Sequence, residues 1–298
     1  MTNDDLYQLA LFAPTYLETI QRTNNLELKL KCDRLGQTIV NHQYTAYPLR
    51  VSPVFRLDDA DSDRAYLYIM TTSPGLLAGD RLNISLQLAA NTSLYITDQA
   101  ATKVHSMPIQ GSKATTNYQI EIGEQATLEF VPEPIILFTD ATLEQTTNIK
   151  IHPTGKLFFS EIILPGRLAR GEIYQFNHYF NRLQVTSTTG ELWLIDAMHL
   201  EGKLNPFTNS QLFASSPVLG NLLIVLPDIN LKLLSENVEN LEAGNCCGVT
   251  VASSILPNNR GLVIRVIASG THEIKTYFKY ALNCVRRSCH QPLLPDDL

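Results

Sequence analysis

Leu82-Asn83-Ile84-Ser85-Leu86, Tyr118-Gln119-Ile120-Glu121-Ile122 and Asn148-Ile149-Lys150-Ile151 carry one pattern in three places. Each alternates apolar and polar residues, the period-2 signature of a strand with one buried face. Each runs into a short polar turn: Ala90-Asn91-Thr92-Ser93, Gly123-Glu124-Gln125-Ala126 or Pro153-Thr154-Gly155-Lys156. A second strand follows in Leu94-Tyr95-Ile96-Thr97, Leu128-Glu129-Phe130-Val131 and Leu157-Phe158-Phe159-Ser160. Its first residue advances from Leu94 to Leu128 to Leu157, a repeat of about 30 residues, the length of a stacking unit. The spacing predicts that these three leucines occupy equivalent positions on neighbouring strands.

The fold class that follows is mainly β. Stacked strand repeats, as a β-helix or solenoid or as layered sheets, are joined by a few helices that include a C-terminal one. Three equivalent hairpins deliver their exit loops to one edge of the stack. Those loops are Asp98–His105, Pro132–Ala141 and Glu161–Glu172, and Ser73–Asp80 leads into the first unit. Strand propensity explains these segments least, and loops on a rigid scaffold are where function concentrates.

The chain has 298 residues, of which 44% are hydrophobic and 17% charged, enough for a sizeable core. A net charge of −6 disfavours a nucleic-acid partner, which needs a basic patch. No run of eighteen apolar residues marks a membrane span. The start, Met1-Thr2-Asn3-Asp4-Asp5, is acidic where a secretory signal is basic, so a cytoplasmic location is expected. Five cysteines without a Cys-x-x-Cys argue for reduced thiols rather than a disulfide framework.

Outside the repeats, Leu26, Leu28 and Leu30 alternate with charged residues, and Gly36 turns this strand into a hairpin with Thr38-Ile39-Val40. Leu57 to Arg64 reads as an acidic surface loop. Ala65 to Thr72 and Leu219 to Leu226 read as buried strands, and Val249–Ile255 with Leu262–Ala268 as a hairpin. A helix is expected over 229–241, capped by Asp228. The clearest helix starts at Thr271, with Ile274, Tyr277, Phe278, Ala281, Leu282 and Val285 on one stripe and Arg286 and Arg287 at its cationic end. Such a stripe docks on its own sheet or on a partner, and Tyr277, Phe278 and Leu282 are the candidate partner-binding residues.

Asp80, Asp98, Glu133, Asp140, Glu161 and Glu172 all fall within or beside the four loops. Paired acids in a β-solenoid cleft suit a carbohydrate-active enzyme. Strung-out acids suit a hard or borderline metal ion in passage. The glycine loop Pro74–Asp80 lacks a Walker lysine and G-x-G-x-x-G, and no G-x-S-x-G is present. His105, His152, His178 and His199 share no ligand spacing. No nucleophile, acid–base pair or cofactor fingerprint emerges, which favours a non-enzyme.

The same loops carry a resemblance. Pro74-Gly75-Leu76-Leu77-Ala78-Gly79-Asp80, Gln99-Ala100-Ala101-Thr102-Lys103-Val104, Leu128 to Ile136 and Glu161 to Glu172, with Gly166-Arg167 and Gly171-Glu172, resemble the signature segments of the UreD/UreH urease accessory family. Order, spacing and length agree across most of the chain; the first loop departs in having Ser73-Pro74 where the family runs consecutive glycines. The resemblance implies one domain over 1–298, with a β-repeat core at about 66–200 and a C-terminal strand–helix portion at about 217–290. It implies a scaffold for urease maturation rather than a catalyst. Its expected partners are the urease apoprotein, a helical UreF-type protein and a UreG-type GTPase. The resemblance further implies that nickel passes along an internal tunnel and is not tightly held. The expected path residues are Asp80, Asp140, Glu161 and Glu172. The motif residues are Gly75, Gly79, Gln99, Thr102, Lys103, Pro132, Gly166, Arg167 and Gly171.

Overall fold

Alternation of apolar side chains sets most of the strands, and a computed structural model describes residues 24–58, 63–205 and 207–295. The acidic start at Met1–Asp5, the last three residues and positions 59–62 of the acidic loop lie outside the described residues. The chain first forms β1 (Leu26–Cys32), β2 (Thr38–Thr45), β3 (Leu49–Val51), β4 (Ala65–Thr71), β5 (Arg81–Leu88), β6 (Ser93–Asp98) and β7 (Thr102–Val104). It continues through β8 (Ala114–Ile122), β9 (Thr127–Phe130), β10 (Ile135–Leu137), β11 (Thr142–Ile151), β12 (Lys156–Leu164), β13 (His178–Ser187) and β14 (Leu192–Leu200). The C-terminal part adds α1 (Gln211–Ser215), β15 (Val218–Val225), α2 (Leu231–Glu239), β16 (Val249–Ile255), β17 (Gly261–Ala268) and α3 (Thr271–Ser288).

Two mixed sheets result. One runs β14-β13-β11-β8-β5-β1-β2 and the other β16-β17-β15-β12-β9-β6-β4-β3. The repeat register holds: Leu94 pairs with Leu128, and Leu128 with Leu157, in parallel ladders. Ala65 extends that row by one strand. Across the core, Leu86, Ile120, Ile149 and Val185 form the matching row. Tyr118 faces Ile84 rather than Leu82, a two-residue slide that leaves every side chain on its own face.

The repeat units are not hairpins. Within each unit the first strand joins one sheet and the second joins the other, so β5 to β6, β8 to β9 and β11 to β12 are arches across the core. The physical reason is burial. Both strands of a unit point apolar side chains into one shared cluster, where Leu86, Leu94, Ile120, Leu128, Ile149 and Leu157 are at most 1% exposed. Full burial of such a side chain contributes about 1.5–3 kcal/mol. A hairpin would place both strands in one ladder and leave that row half covered.

The exit loops do gather on one edge, where they add a short ladder of their own. Leu76 bridges Val104, β7 pairs with β10, and β10 pairs with the end of β12. Beneath them Leu76, Val104, Leu137, Ile163 and Tyr174 form a separate buried cluster. Because β12 continues to Leu164, Glu161 lies within a strand and not in a loop.

On the second sheet β15 pairs antiparallel with β12, and β17 and β16 continue outward. Both helices of this region pack on it. Asn230, not Asp228, caps α2 by accepting from the Leu233 amide at 3.1 Å. Gly270 precedes α3, and Thr271 gives no side-chain cap. The α3 stripe is buried in this chain, with Tyr277, Phe278 and Leu282 at 0, 2 and 1% exposure. These three side chains therefore present no surface to a partner, because their own sheet needs the cover. Gly220 permits the close approach: a Cβ there would stand 2.8 Å from Ile274 and 3.1 Å from Phe278. No helix among the described residues is long and apolar enough to cross a membrane.

Candidate functional site

Polar residues at inward-facing strand positions mark the site. In β11 the inward phase runs Leu143, Gln145, Thr147, Ile149, and in β13 it runs Tyr179, Asn181, Leu183, Val185. An amide in that phase is buried and must find a partner. The partner is Glu161, which enters from β12 and is 4% exposed. It accepts from Gln145 Nε2 at 2.6 Å, Tyr179 Oη at 2.9 Å and Asn221 Nδ2 at 3.0 Å. Asn181 Nδ2 bridges both carboxylate oxygens, at 3.0 and 2.9 Å. Thr116 Oγ1 donates to Gln145 Oε1 at 3.0 Å and so fixes which end of that amide faces the acid.

A carboxylate offers about four lone-pair sites, and neutral donors fill them here. Burial nevertheless pushes the Glu161 pKa up, against the lowering effect of Asn221, Tyr179, Gln145 and Asn181. Desolvation penalises the charge more than the donors stabilise it. The acid is thus poised: enclosed, prepaired with dipoles, and in hydrogen-bond contact with neutral groups rather than with arginine or lysine among the described residues. A divalent cation entering here would meet a carboxylate and amide oxygens that can turn toward it.

Small cavities flank Glu161 on both sides. One, of about 20 Å³, is lined by Asn181, Asn221, Asp196 and Arg265. Arg265 donates to Asn221 Oδ1 at 2.5 Å and pairs with Asp196 at 2.5 Å, closing that end with a charged latch. The other, of about 40 Å³, reaches from Glu161 past Gln145 and Tyr118 to Pro132, Glu133 and Asp98. Either has room for ordered water, given polar walls.

Asp98 stands where the interior meets two surface pockets. A pocket of about 170 Å³ joins it to Ser73, Gly75, Ala100, Thr102 and Lys103. A wider one of about 390 Å³ joins it to Gln99, Pro132, Glu133 and Lys275. Burial first, then the nearby Glu133 charge, raise the Asp98 pKa to about 7, against a hydrogen bond from the Glu133 backbone. Glu133 is held by Lys275 Nζ at 2.7 and 2.5 Å. The polar groups thus run from the loop edge at Asp98, through Glu161 between the sheets, to Asp196 on β14.

The other sequence-selected acids lie at the surface. Asp80 accepts from the Leu77 amide at 2.7 Å and lines a shallow pocket with Lys113 and Glu144. Asp140 pairs with Lys203, and Glu172 with Arg167. Of the four, only Glu161 joins the interior row. Asp98 and Glu133 are the two acids that share an open pocket with aromatic side chains, Tyr68, Tyr95 and Phe278, and there Glu133 is paired with Lys275. Sequence reasoning noted Asp98 among the acids but passed over Gln145, Tyr179, Asn181, Asp196, Asn221 and Arg265. Polar residues in the inward phase of β11 and β13 were the available signal.

The motif glycines shape the loop edge. Gly75 has φ +149°, and a Cβ there would lie 2.4 Å from the Lys103 carbonyl oxygen. Gly166 has φ +137°, and its Cβ would sit 1.4 Å from the carbonyl oxygen of Glu172. No side chain fits at that crossing. It lets Arg167 fold back on Glu172, with Nε to Oε2 at 2.7 Å, and lie 4.3 Å over the Phe138 ring. Gly79 and Gly171 take positive φ in open turns. Thr102 ties the second loop to the third through its amide and the Pro134 carbonyl, 2.9 Å, while Gln99 and Lys103 face solvent.

The sequence matches the family model described as UreD urease accessory protein over residues 23–296. The urease accessory protein UreD of Trichodesmium erythraeum is 58% identical over 92% of this chain and 98% of its own. The urease accessory protein UreH of Helicobacter pylori strain G27 is 28% identical over 87% of this chain and 93% of its own. UreD of Actinobacillus pleuropneumoniae serotype 5b is 29% identical over 86% and 94%.

Proposed function

Because the chain belongs to the family of UreD urease accessory proteins, we propose that it is a maturation scaffold that binds urease apoprotein and helps nickel reach the urease active site. A helical UreF-type protein and a UreG-type GTPase that carries nickel are its further partners in this reading. Nickel is cargo, not a resident cofactor, and the protein itself catalyses nothing.

The observation that carries this reading is the interior row of Asp98, Glu161 and Asp196, joined by small polar cavities. Passage of an ion requires ligands that bind well enough to admit it and weakly enough to release it. Oxygen and amide groups on rigid strands meet that condition, whereas a closed set of thiolates along the path would hold nickel too firmly to pass it on. The cavities are narrow, so side chains such as Gln145 and Asn221 must move as the ion passes. The five cysteines stand unpaired, as suits a reducing cytoplasm, where we place this work.

The test is co-purification of the chain with urease subunits, with and without the helical partner, followed by nickel content and urease activity. The proposal expects a stable complex with the apoprotein and activation that depends on this chain. Absence of any complex, with the chain folded and all partners present, would overturn it.

A further inference from the structure

On the face of β13 opposite the Glu161 side, three potential metal ligands converge. Tyr179 pairs with Leu200 and Phe180 with His199 in the antiparallel ladder. Tyr179 points inward to Glu161, so period-2 alternation turns His178 and Phe180 outward. His199 and Glu201 of the neighbouring strand and its end share that outer face. His199 Nε2 lies 2.9 Å from His178 Nδ1, and 3.7 Å from Glu201 Oε1. One ligand atom from each of the three falls within 4.8 Å of the others.

That spacing has a chemical meaning. Metal–imidazole bonds are about 2.0–2.1 Å long, which sets neighbouring ligand atoms about 3 Å apart around a six-coordinate ion. The imidazole pair already has this separation, and the carboxylate, on a side chain 39% exposed, closes the rest by rotation. Two imidazoles and one carboxylate on one face leave the remaining positions to water, the facial arrangement that borderline divalent ions accept. Without an ion, these two imidazole nitrogens hydrogen-bond to each other, one ring donating and the other accepting. A cation takes up both lone pairs in place of that hydrogen bond. The Phe180 ring stands edge-on to His199, with centroids 6.4 Å apart, and walls one side. Glu144, opposite Phe180 on β11, adds negative potential that Lys113 offsets at 2.6 Å.

We propose that Nδ1 of His178, Nε2 of His199 and a carboxylate oxygen of Glu201 form an exchangeable surface site for one first-row divalent cation. It is separate from the interior row, since the sheet lies between them. It needs no partner chain and does not depend on the urease reading.

Equilibrium dialysis and calorimetry of the full chain with Ni²⁺ alone, and with Zn²⁺ alone, test it. Comparison is with His199→Gln, with the double variant His178→Asn/His199→Gln, and with Asp98→Asn/Glu161→Gln as a control for interior binding. Loss of a ligand should cost at least what loss of an outer-shell partner does, about 10–100-fold in affinity. The wild type should therefore hold one equivalent that the double variant has lost, and that the interior control retains. X-ray absorption of the Ni²⁺-loaded wild type should show imidazole scattering that His199→Gln diminishes. His199 is 52% exposed, so these variants should keep the wild-type melting curve. Equal stoichiometry and affinity in wild type and a folded double variant would overturn the proposal.

Discussion

Arg286, in the last turn of α3, grips Glu129 on β9 through Nε–Oε1 and Nη2–Oε2 contacts of 2.9 and 2.5 Å. The two residues stand 157 positions apart, and neither side chain is more than 2% exposed. Arg64 and Asp58 complete a buried group of two positive and two negative charges, with separations of 3.5–3.6 Å. The helix is thus anchored to the repeat stack by charge as well as by its apolar stripe. Desolvating such ions is costly, and only the full set of partners offsets it.

Arg286→Met should therefore destabilise the chain by about 3–5 kcal/mol, because it leaves Arg64 alone against two buried carboxylates, Glu129 and Asp58. Adding Glu129→Leu to that variant should recover part of the loss, since Arg64 and Asp58 still neutralise each other. Urea denaturation midpoints of the two variants decide it. A single variant as stable as wild type would mean that water reaches this cluster.

Gly166 and Gly171 bracket one loop and should respond very differently to alanine. At Gly171 the space around a Cβ is open, so the cost is the left-handed backbone alone, about 1–2 kcal/mol. At Gly166 the Cβ collides with the Glu172 backbone, and only opening the loop relieves it. Gly166→Ala should expose residues 165–172 to limited proteolysis and abolish the Arg167–Glu172 pair. Gly171→Ala should leave the cleavage pattern unchanged.

The contrast between legible and hidden parts follows from range. The Leu94, Leu128 and Leu157 row was readable because alternation and repeat spacing are local properties that survive in one dimension. Arches and hairpins leave the same alternation, so sequence could not say which sheet each strand would join. Glu161 was selected as a loop acid, yet it is a strand residue whose meaning comes from Asn221, 60 positions away. Arg286 reads in sequence as one of two cations at a helix end. Nothing local distinguishes it from Arg287, and only the approach of β9 makes it a core residue. The Tyr277, Phe278 and Leu282 stripe was seen correctly, but amphipathicity does not tell what covers it.

Asp98 gives a pH prediction with a definite sign. Its folded-state pKa, near 7, lies above the ordinary value of 3.8. Between those values the folded chain holds a proton that the unfolded chain has released. Stability from this group is therefore fully present below about pH 4 and is lost as pH rises through 7. Asp98→Asn removes the titration, so its stability relative to wild type should rise across that window, by at most about 1.4 kcal/mol per pH unit. Denaturation at pH 5 and pH 8 checks it. A difference that stays constant between the two would place Asp98 in contact with bulk water.

The interior row and the surface acids make opposite predictions for nickel transfer. Asp98→Asn/Glu161→Gln replaces two carboxyl groups along the cavities at nearly constant shape. The Glu161→Gln change turns an amide N–H₂ toward donors that need an acceptor, so a cost of about 1–3 kcal/mol is expected. The melting curve and urease co-purification are therefore measured first, and both should show a folded, binding-competent chain. At limiting nickel this double variant should then yield less active urease, with less nickel bound to it. Asp80→Asn/Asp140→Asn/Glu172→Gln removes three acids from the surface and should activate urease at least as well as the double variant does. If the surface triple variant fails while the interior double variant matures urease normally, nickel moves along the outside of the loop edge. The cavities around Glu161 would then serve only to satisfy its buried charge.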